Sequence, residues 1–97
     1  MKASTKKHTA KGVFIVRNDR GLHTRPSTEL VKCAVAYKAE VKLYFQKTEV
    51  NAKSLLGILM LAAAKGSKIS VEANGVDATE AVNAILALAE NNFNIKY

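Results

Sequence analysis

Gly21-Leu22-His23-Thr24-Arg25-Pro26-Ser27 is where this chain changes its period. Before it, Val13-Phe14-Ile15-Val16 is a β-branched and aromatic run that reads as a strand. After it, Leu30, Cys33 or Ala34, and Tyr37 recur at helical spacing. Gly21 breaks the strand and lets the backbone turn tightly. Pro26 suits a first helical turn, where its missing N–H would have had no partner. The pattern predicts a helix that starts near Thr24 to Pro26 and ends near Tyr37 or Lys38.

The rest of the chain continues the alternation of periods. Val41-Lys42-Leu43-Tyr44-Phe45 alternates, with Val41, Leu43 and Phe45 on the core face. Thr48 to Asn51 reads as its hairpin partner across Gln46-Lys47. Ser54 to Ala64 is a helix-favouring apolar stretch closed by Gly66. Ile69, Val71 and Ala73 alternate with Lys68, Ser70 and Glu72, a further half-buried strand. Asn74-Gly75 marks a turn. Asp77-Ala78-Thr79-Glu80 resembles a capping box with Asp as the cap. A last helix is expected to run to about Glu90 and bury Ala81, Val82, Ile85 and Leu88. The order βαββαβα, without internal repeats, predicts an α+β fold: one mainly antiparallel sheet, helices on one face, water on the other.

Ninety-seven residues make one domain with a single small core. Residues 1–11 read as a basic, disordered extension, 12–92 as the folded domain and 93–97 as a C-terminal tail. The first eleven residues lack the apolar region of a secretory signal, and no stretch is long and apolar enough to span a membrane. Cys33 is the one cysteine, so no internal disulfide is expected, and a cytoplasmic setting is the simplest inference. The net charge of +7 owes four units to Lys2, Lys6, Lys7 and Lys11. The remaining mildly basic domain suits acidic protein partners better than nucleic acid. Its three Tyr and three Phe show no base-stacking pattern. No metal site is expected: His8 lies in the extension, and Cys33 falls on the inner face of the first helix.

His23 is the residue whose placement carries chemistry. It precedes a helix, beside unpaired N–H groups and the positive end of the helix dipole. The imidazolium is disfavoured there, so the ring is expected to stay neutral at pH 7 with one nitrogen free as a nucleophile. A phosphoryl group on that nitrogen would meet the backbone N–H groups of Thr24 and Arg25. Arg25 can add a charge-assisted fork to its oxygens. Thr24 and Ser27 otherwise read as caps or first-turn residues.

A second constellation is Ala52-Lys53-Ser54-Leu55-Leu56-Gly57-Ile58-Leu59-Met60-Leu61, apolar on every side. A domain this small cannot bury all of it, so some of Leu55, Leu56 and Leu59 are expected at a docking surface. Ser54 is by default an N-cap worth about 1 kcal/mol. A phosphate there would suit the helix yet place charge in an apolar interface, which is the chemistry of a switch.

These segments resemble the histidine-containing phosphocarrier (HPr) family of the bacterial phosphoenolpyruvate-dependent sugar phosphotransferase system. Gly21-Leu22-His23-Thr24-Arg25-Pro26 matches the family's active-site pattern, and Asn51-Ala52-Lys53-Ser54-Leu55-Leu56-Gly57 the pattern around its regulatory serine. Ala64-Lys65-Gly66-Ser67-Lys68-Ile69 and Asn74-Gly75-Val76-Asp77-Ala78 resemble later segments, so the match covers about 12–92. The resemblance implies an open-faced β-sandwich of four strands with three helices on one side. It implies phosphorylation of His23 through the ring nitrogen nearer the backbone, assistance from Arg25, and Ser54 as the target of an HPr kinase/phosphorylase. The implied partners are Enzyme I, which donates phosphoryl from phosphoenolpyruvate, and IIA proteins, which accept it. No cofactor is implied, and a monomer is expected. Gln46-Lys47 stands where the family often has Asn-Gly, Ser27 where Ala is common, and the basic extension lies outside the usual pattern. A phosphoryl relay is therefore the leading expectation, and a regulatory module controlled through Ser54 is the alternative.

Overall fold

The change of period at Gly21 is realised as a strand feeding a helix. In the computed structural model, which describes residues 8–95, β1 (Thr9–Ile15) leads into α1 (Thr24–Val35). There follow β2 (Glu40–Phe45), β3 (Thr48–Asn51), α2 (Leu55–Met60), β4 (Lys68–Asn74) and α3 (Ala78–Glu90). The strands form one antiparallel sheet in the order β1-β4-β2-β3. With three helices on it, this is the open-faced sandwich expected from the sequence. Residue alternation sets the two faces. Phe14, Val41, Leu43, Ile69, Val71 and Ala73 are buried against the helices. Lys11, Glu72 and Lys42 stand in register on the other face, where Tyr44 Oη donates to Glu72 Oε1 at 2.8 Å. That hydrogen bond, with the neighbouring carboxylates, pushes the Tyr44 phenol up to about 12.

Both ends of the domain differ from the sequence reading. β1 starts at Thr9, inside the segment assigned to the extension, because Thr9 to Lys11 pair with Asn74 to Glu72 of β4. The first seven residues of that extension lie outside the described residues, as do the last two of the tail. The rest of the tail packs into the core. Asn92, Phe93 and Asn94 have φ of 57°, 56° and 60°, a left-handed turn that swings Phe93 back beneath the sheet. Phe93 is fully buried and meets Phe14 edge-on, ring centroids 5.8 Å apart. Ile95 is buried beside it.

Three local readings are corrected. α2 ends at Met60 instead of reaching Ala64, with Ala62 in the left-handed region at φ 51°. The residues beyond cross to the start of α1, where Leu22 N–H donates to Ala63 O at 2.9 Å, a contact no helical continuation could make. Asp77 does not cap α3 with its side chain. Its carboxylate accepts instead from the Lys38 and Ala39 N–H groups, 2.8 Å each, and clamps the α1–β2 connection. Leu88 is half-buried, and Ala89 takes the buried position at that end of α3. The hairpin turn keeps two residues, Gln46-Lys47, with Gln46 at φ 57° where glycine would be favoured.

Candidate functional site

Backbone contacts hold the segment that presents His23. Val16 and the β4 approach are zipped together by Val16 N to Ser67 O, 2.9 Å, and Gly66 N to Val16 O, 2.7 Å. Asn18-Asp19-Arg20-Gly21 then closes a turn through Gly21 N to Asn18 O, 2.9 Å, with Asn first and Gly last as such turns favour. Gly21 has φ +68°, and a Cβ there would overlap the Ala63 carbonyl oxygen and lie 2.8 Å from Ala64 Cα. Only glycine fits. Leu22 is buried, and Ser27, fully buried in the first turn of α1, donates its hydroxyl to Leu22 O at 3.0 Å. Ser27 thus ties the helix start back onto the chain that enters it.

His23 is the N-cap residue of α1, with extended backbone at φ −79° and ψ −169°. Its side chain makes no cap hydrogen bond, and its carbonyl accepts from Ser27 N at 3.1 Å. The Thr24 and Arg25 N–H groups belong to the first helical turn, so no helical carbonyl can reach them. Pro26 has no N–H. Nε2 of the ring is sealed from solvent without a hydrogen-bond partner. Nδ1 is the nitrogen left for contact with an incoming group. The ring borders a cavity of about 390 Å³ shared with Arg20, Leu22, Thr24, Leu59 and Ala62 to Ala64.

Arg25 and His23, two positions apart, line neighbouring hollows that share Thr24. Arg25 is exposed and lines a cleft of about 230 Å³ with Thr24, Thr28, Glu29, Asn94 and Ile95, which meets the His23 hollow at Thr24. Its charge acts on Glu29, whose carboxyl is held below its ordinary value first by the Lys32 hydrogen bond, then by Asn94, and to a lesser degree by Arg25. Arg20 lines the His23 cavity, and the sequence reading passed over it. No periodicity marks it, and only the turn geometry brings it there.

Ser54 is the N-cap of α2, as expected, and its Oγ accepts from Gly57 N at 3.0 Å. A Cβ on Gly57 would press on Ser54 Oγ and Val50 Cβ at 3.3 Å, which accounts for a glycine inside a helix. Leu56 is 68% exposed and Leu55 37%, whereas Leu59 is half-buried against the His23 cavity. Met60, 69% exposed, joins the patch. Its i,i+4 spacing from Leu56 was the available signal. Cys33 is half-buried against the core, and that burial raises its thiol pKa. Among the described residues no His, Cys, Asp or Glu cluster has the makings of a metal site, and no helix is long and apolar enough to cross a membrane.

Fold and site together define a small open-faced α+β domain that presents one histidine at the mouth of its first helix. The family model for the PTS HPr component phosphorylation site matches residues 10–91. The chain belongs to this HPr family. It is 42% identical over 76 residues to the phosphocarrier protein HPr of Cupriavidus necator, spanning 78% of this chain and 85% of that protein. The phosphocarrier protein HPr of Xylella fastidiosa is 40% identical over 81 residues, 84% of this chain and 91% of its own. Among solved structures, HPr-C-His from Thermoanaerobacter tengcongensis superposes with a TM-score of 0.86 at 30% identity, covering 91% of this chain and 99% of that one.

Proposed function

We propose that this chain relays a phosphoryl group as phosphohistidine, taking it from Enzyme I and passing it to IIA proteins. The observation that carries the reading is His23 at the N-cap of α1, with Nε2 sealed and the Thr24 and Arg25 N–H groups beside it. In the loading step, the Nδ1 lone pair forms the new P–N bond as the donor's P–N bond breaks. The donor imidazole leaves with the electron pair. The backbone N–H groups and the helix dipole stabilise the phosphoryl oxygens throughout. Such transfer asks mainly for positioning and charge neutralisation, which fixed backbone donors supply. Arg25 contributes its N–H and adds positive potential from the adjoining cleft. The chain is a substrate at both steps and is regenerated, so it is a carrier without turnover of its own.

Leu55, Leu56 and Met60, with Leu59 at the cavity edge, form the docking patch, and the protein acts as a cytoplasmic monomer between partners. Ser54 supports a regulatory second reading: its Oγ caps α2 at the border of that patch. Phosphorylation there by an HPr kinase/phosphorylase would put a dianion into the docking surface.

Incubation with Enzyme I and labelled phosphoenolpyruvate tests the relay. Acid-labile, alkali-stable label is expected on the wild type and none on His23→Ala. Label retained by His23→Ala would sink the assignment. Support of sugar uptake should be lost in His23→Ala and kept in Ser54→Ala; the reverse pattern would favour the regulatory reading.

A further inference from the structure

We propose that Lys32 is a positioning residue for the relay: it holds the Glu29 carboxylate off Arg25 and so leaves the Arg25 guanidinium to the phosphoryl group on His23. The proposal deepens the carrier reading and rests on it. Arg25 stands in the first turn of α1, at the positive end of the helix dipole, where a cation is poorly placed unless an anion meets it. That turn contains no acidic residue. Glu29, one turn further on at i+4, lines the same cleft as Arg25 and feels its charge. A carboxylate so placed can close on the guanidinium and neutralise it before any phosphoryl group arrives.

The structure turns Glu29 the other way. Its Oε2 is paired with Lys32 Nζ at 3.2 Å, and its Oε1 accepts from Asn94 Nδ2 at 3.5 Å. Glu29 and Asn94 form the ridge between two hollows, with Arg25 lining one and Lys32 and Asn91 the other. Asn94 is itself fixed: Asn91 Nδ2 donates to its Oδ1 at 2.7 Å, and its own N–H donates to Asn91 O at 3.0 Å. Its amide nitrogen is thereby the end left for Glu29. Among the described residues no hydrogen bond or ion pair engages the Arg25 guanidinium. Helix geometry favours the observed choice, because a carboxylate pairs better with a basic residue that follows it than with one that precedes it. Both pairs lie at the surface, so the preference is only a few-fold, and loss of Lys32 is enough to reverse it.

The test uses the full chain and no partner protein. Phosphoramidate phosphorylates the histidine: its P–N bond breaks as the bond to Nδ1 forms, and ammonia leaves. The phosphorus NMR resonance that His23→Ala lacks is the His23 adduct, and its pH titration reports the second ionisation of the phosphoryl group. Lys32→Gln should raise that ionisation by about a third of a unit, because Glu29 then closes on Arg25 and withdraws it from the dianion. The same change made in Glu29→Gln, or in Arg25→Gln, should shift it far less. In the unphosphorylated chain, carbon NMR should find the Glu29 carboxyl still below the ordinary glutamate value in Lys32→Gln, and back at that value only when Arg25→Gln is added. No shift of the phosphoryl ionisation in Lys32→Gln would overturn the proposal. So would an equal shift with and without Glu29, as the bare loss of a charge would give, or a Glu29 carboxyl restored by Lys32→Gln alone. Each of these leaves the relay standing. A wild type with no resonance that depends on His23 would remove the carrier reading itself, and the role of Lys32 with it.

Discussion

Gly21→Ala is expected to damage the domain far more than the same change at Gly66, and the difference measures how tightly the His23 segment is held. Both glycines have positive φ, +68° and +93°. An alanine at either pays a backbone strain of about 1–2 kcal/mol. At Gly66 nothing lies within 4 Å of the added Cβ, so strain is the whole cost. At Gly21 the Cβ overlaps the Ala63 carbonyl, the acceptor for Leu22 N–H. Both walls are backbone and cannot rotate away. Relief requires moving the α2–β4 link off Leu22, which adds about 1–3 kcal/mol for overpacking and a weakened hydrogen bond. The expected destabilisation is thus about 2–5 kcal/mol for Gly21→Ala and about 1–2 kcal/mol for Gly66→Ala. Against a typical total of about 5–15 kcal/mol, Gly21→Ala should still fold but with much of its margin gone. Urea unfolding at constant m-value reads the difference directly. Equal midpoints for the two variants would refute the reasoning, because they would mean that the Leu22–Ala63 contact carries no structural constraint.

Phe93→Ala should cost about 3–5 kcal/mol in the same assay, since it empties a fully buried ring site against Phe14; a loss below about 1 kcal/mol would mean the C-terminal turn is only loosely docked. The Lys38 N–H, seconded by that of Ala39, holds the Asp77 carboxyl below the ordinary aspartate value of 3.8. The unfolded chain therefore binds that proton more readily, so the contribution of Asp77 is complete above that value and fades as pH falls through the lowered folded value. Acid unfolding curves should show this dependence weakened in Asp77→Asn, and parallel curves would contradict the clamp. Ser54→Ala should lower stability by about 1 kcal/mol through loss of the α2 cap, read as a shift in the thermal midpoint. No shift would mean that Gly57 N–H finds water equally well.

In the proposed reading the apolar patch is what would link Ser54 to His23. Leu59 borders the His23 cavity, while Leu55, Leu56 and Met60 continue outward from it beside the Ser54 cap. On that reading, a charge added at Ser54 acts on a partner seated on the patch.

Local chemistry made much of the protein legible. Gly21 and Pro26 bracket a helix start, alternating Ile69, Val71 and Ala73 fix which face of β4 is buried, and Ser54 caps α2 as its type suggests. Each of these rests on interactions within a few residues, so the chain alone determines them. Long-range contacts decided the rest. Ala62 to Ala64 have helix-forming side chains, yet they leave the helix, and Ala63 O accepts from Leu22 N–H at the entry of α1. Asp77 has the spacing of a cap and instead reaches a connection almost forty positions earlier in the chain. Phe93 lies in a stretch that reads as a polar tail, and the vacancy beside Phe14 draws it inward. Arg20 lies three positions before His23, and only the packing of the Asn18–Gly21 turn against Ala63 and Ala64 brings it to the same hollow. Propensity and periodicity are set by neighbours in sequence, whereas a cavity is defined by whichever distant surfaces close around it.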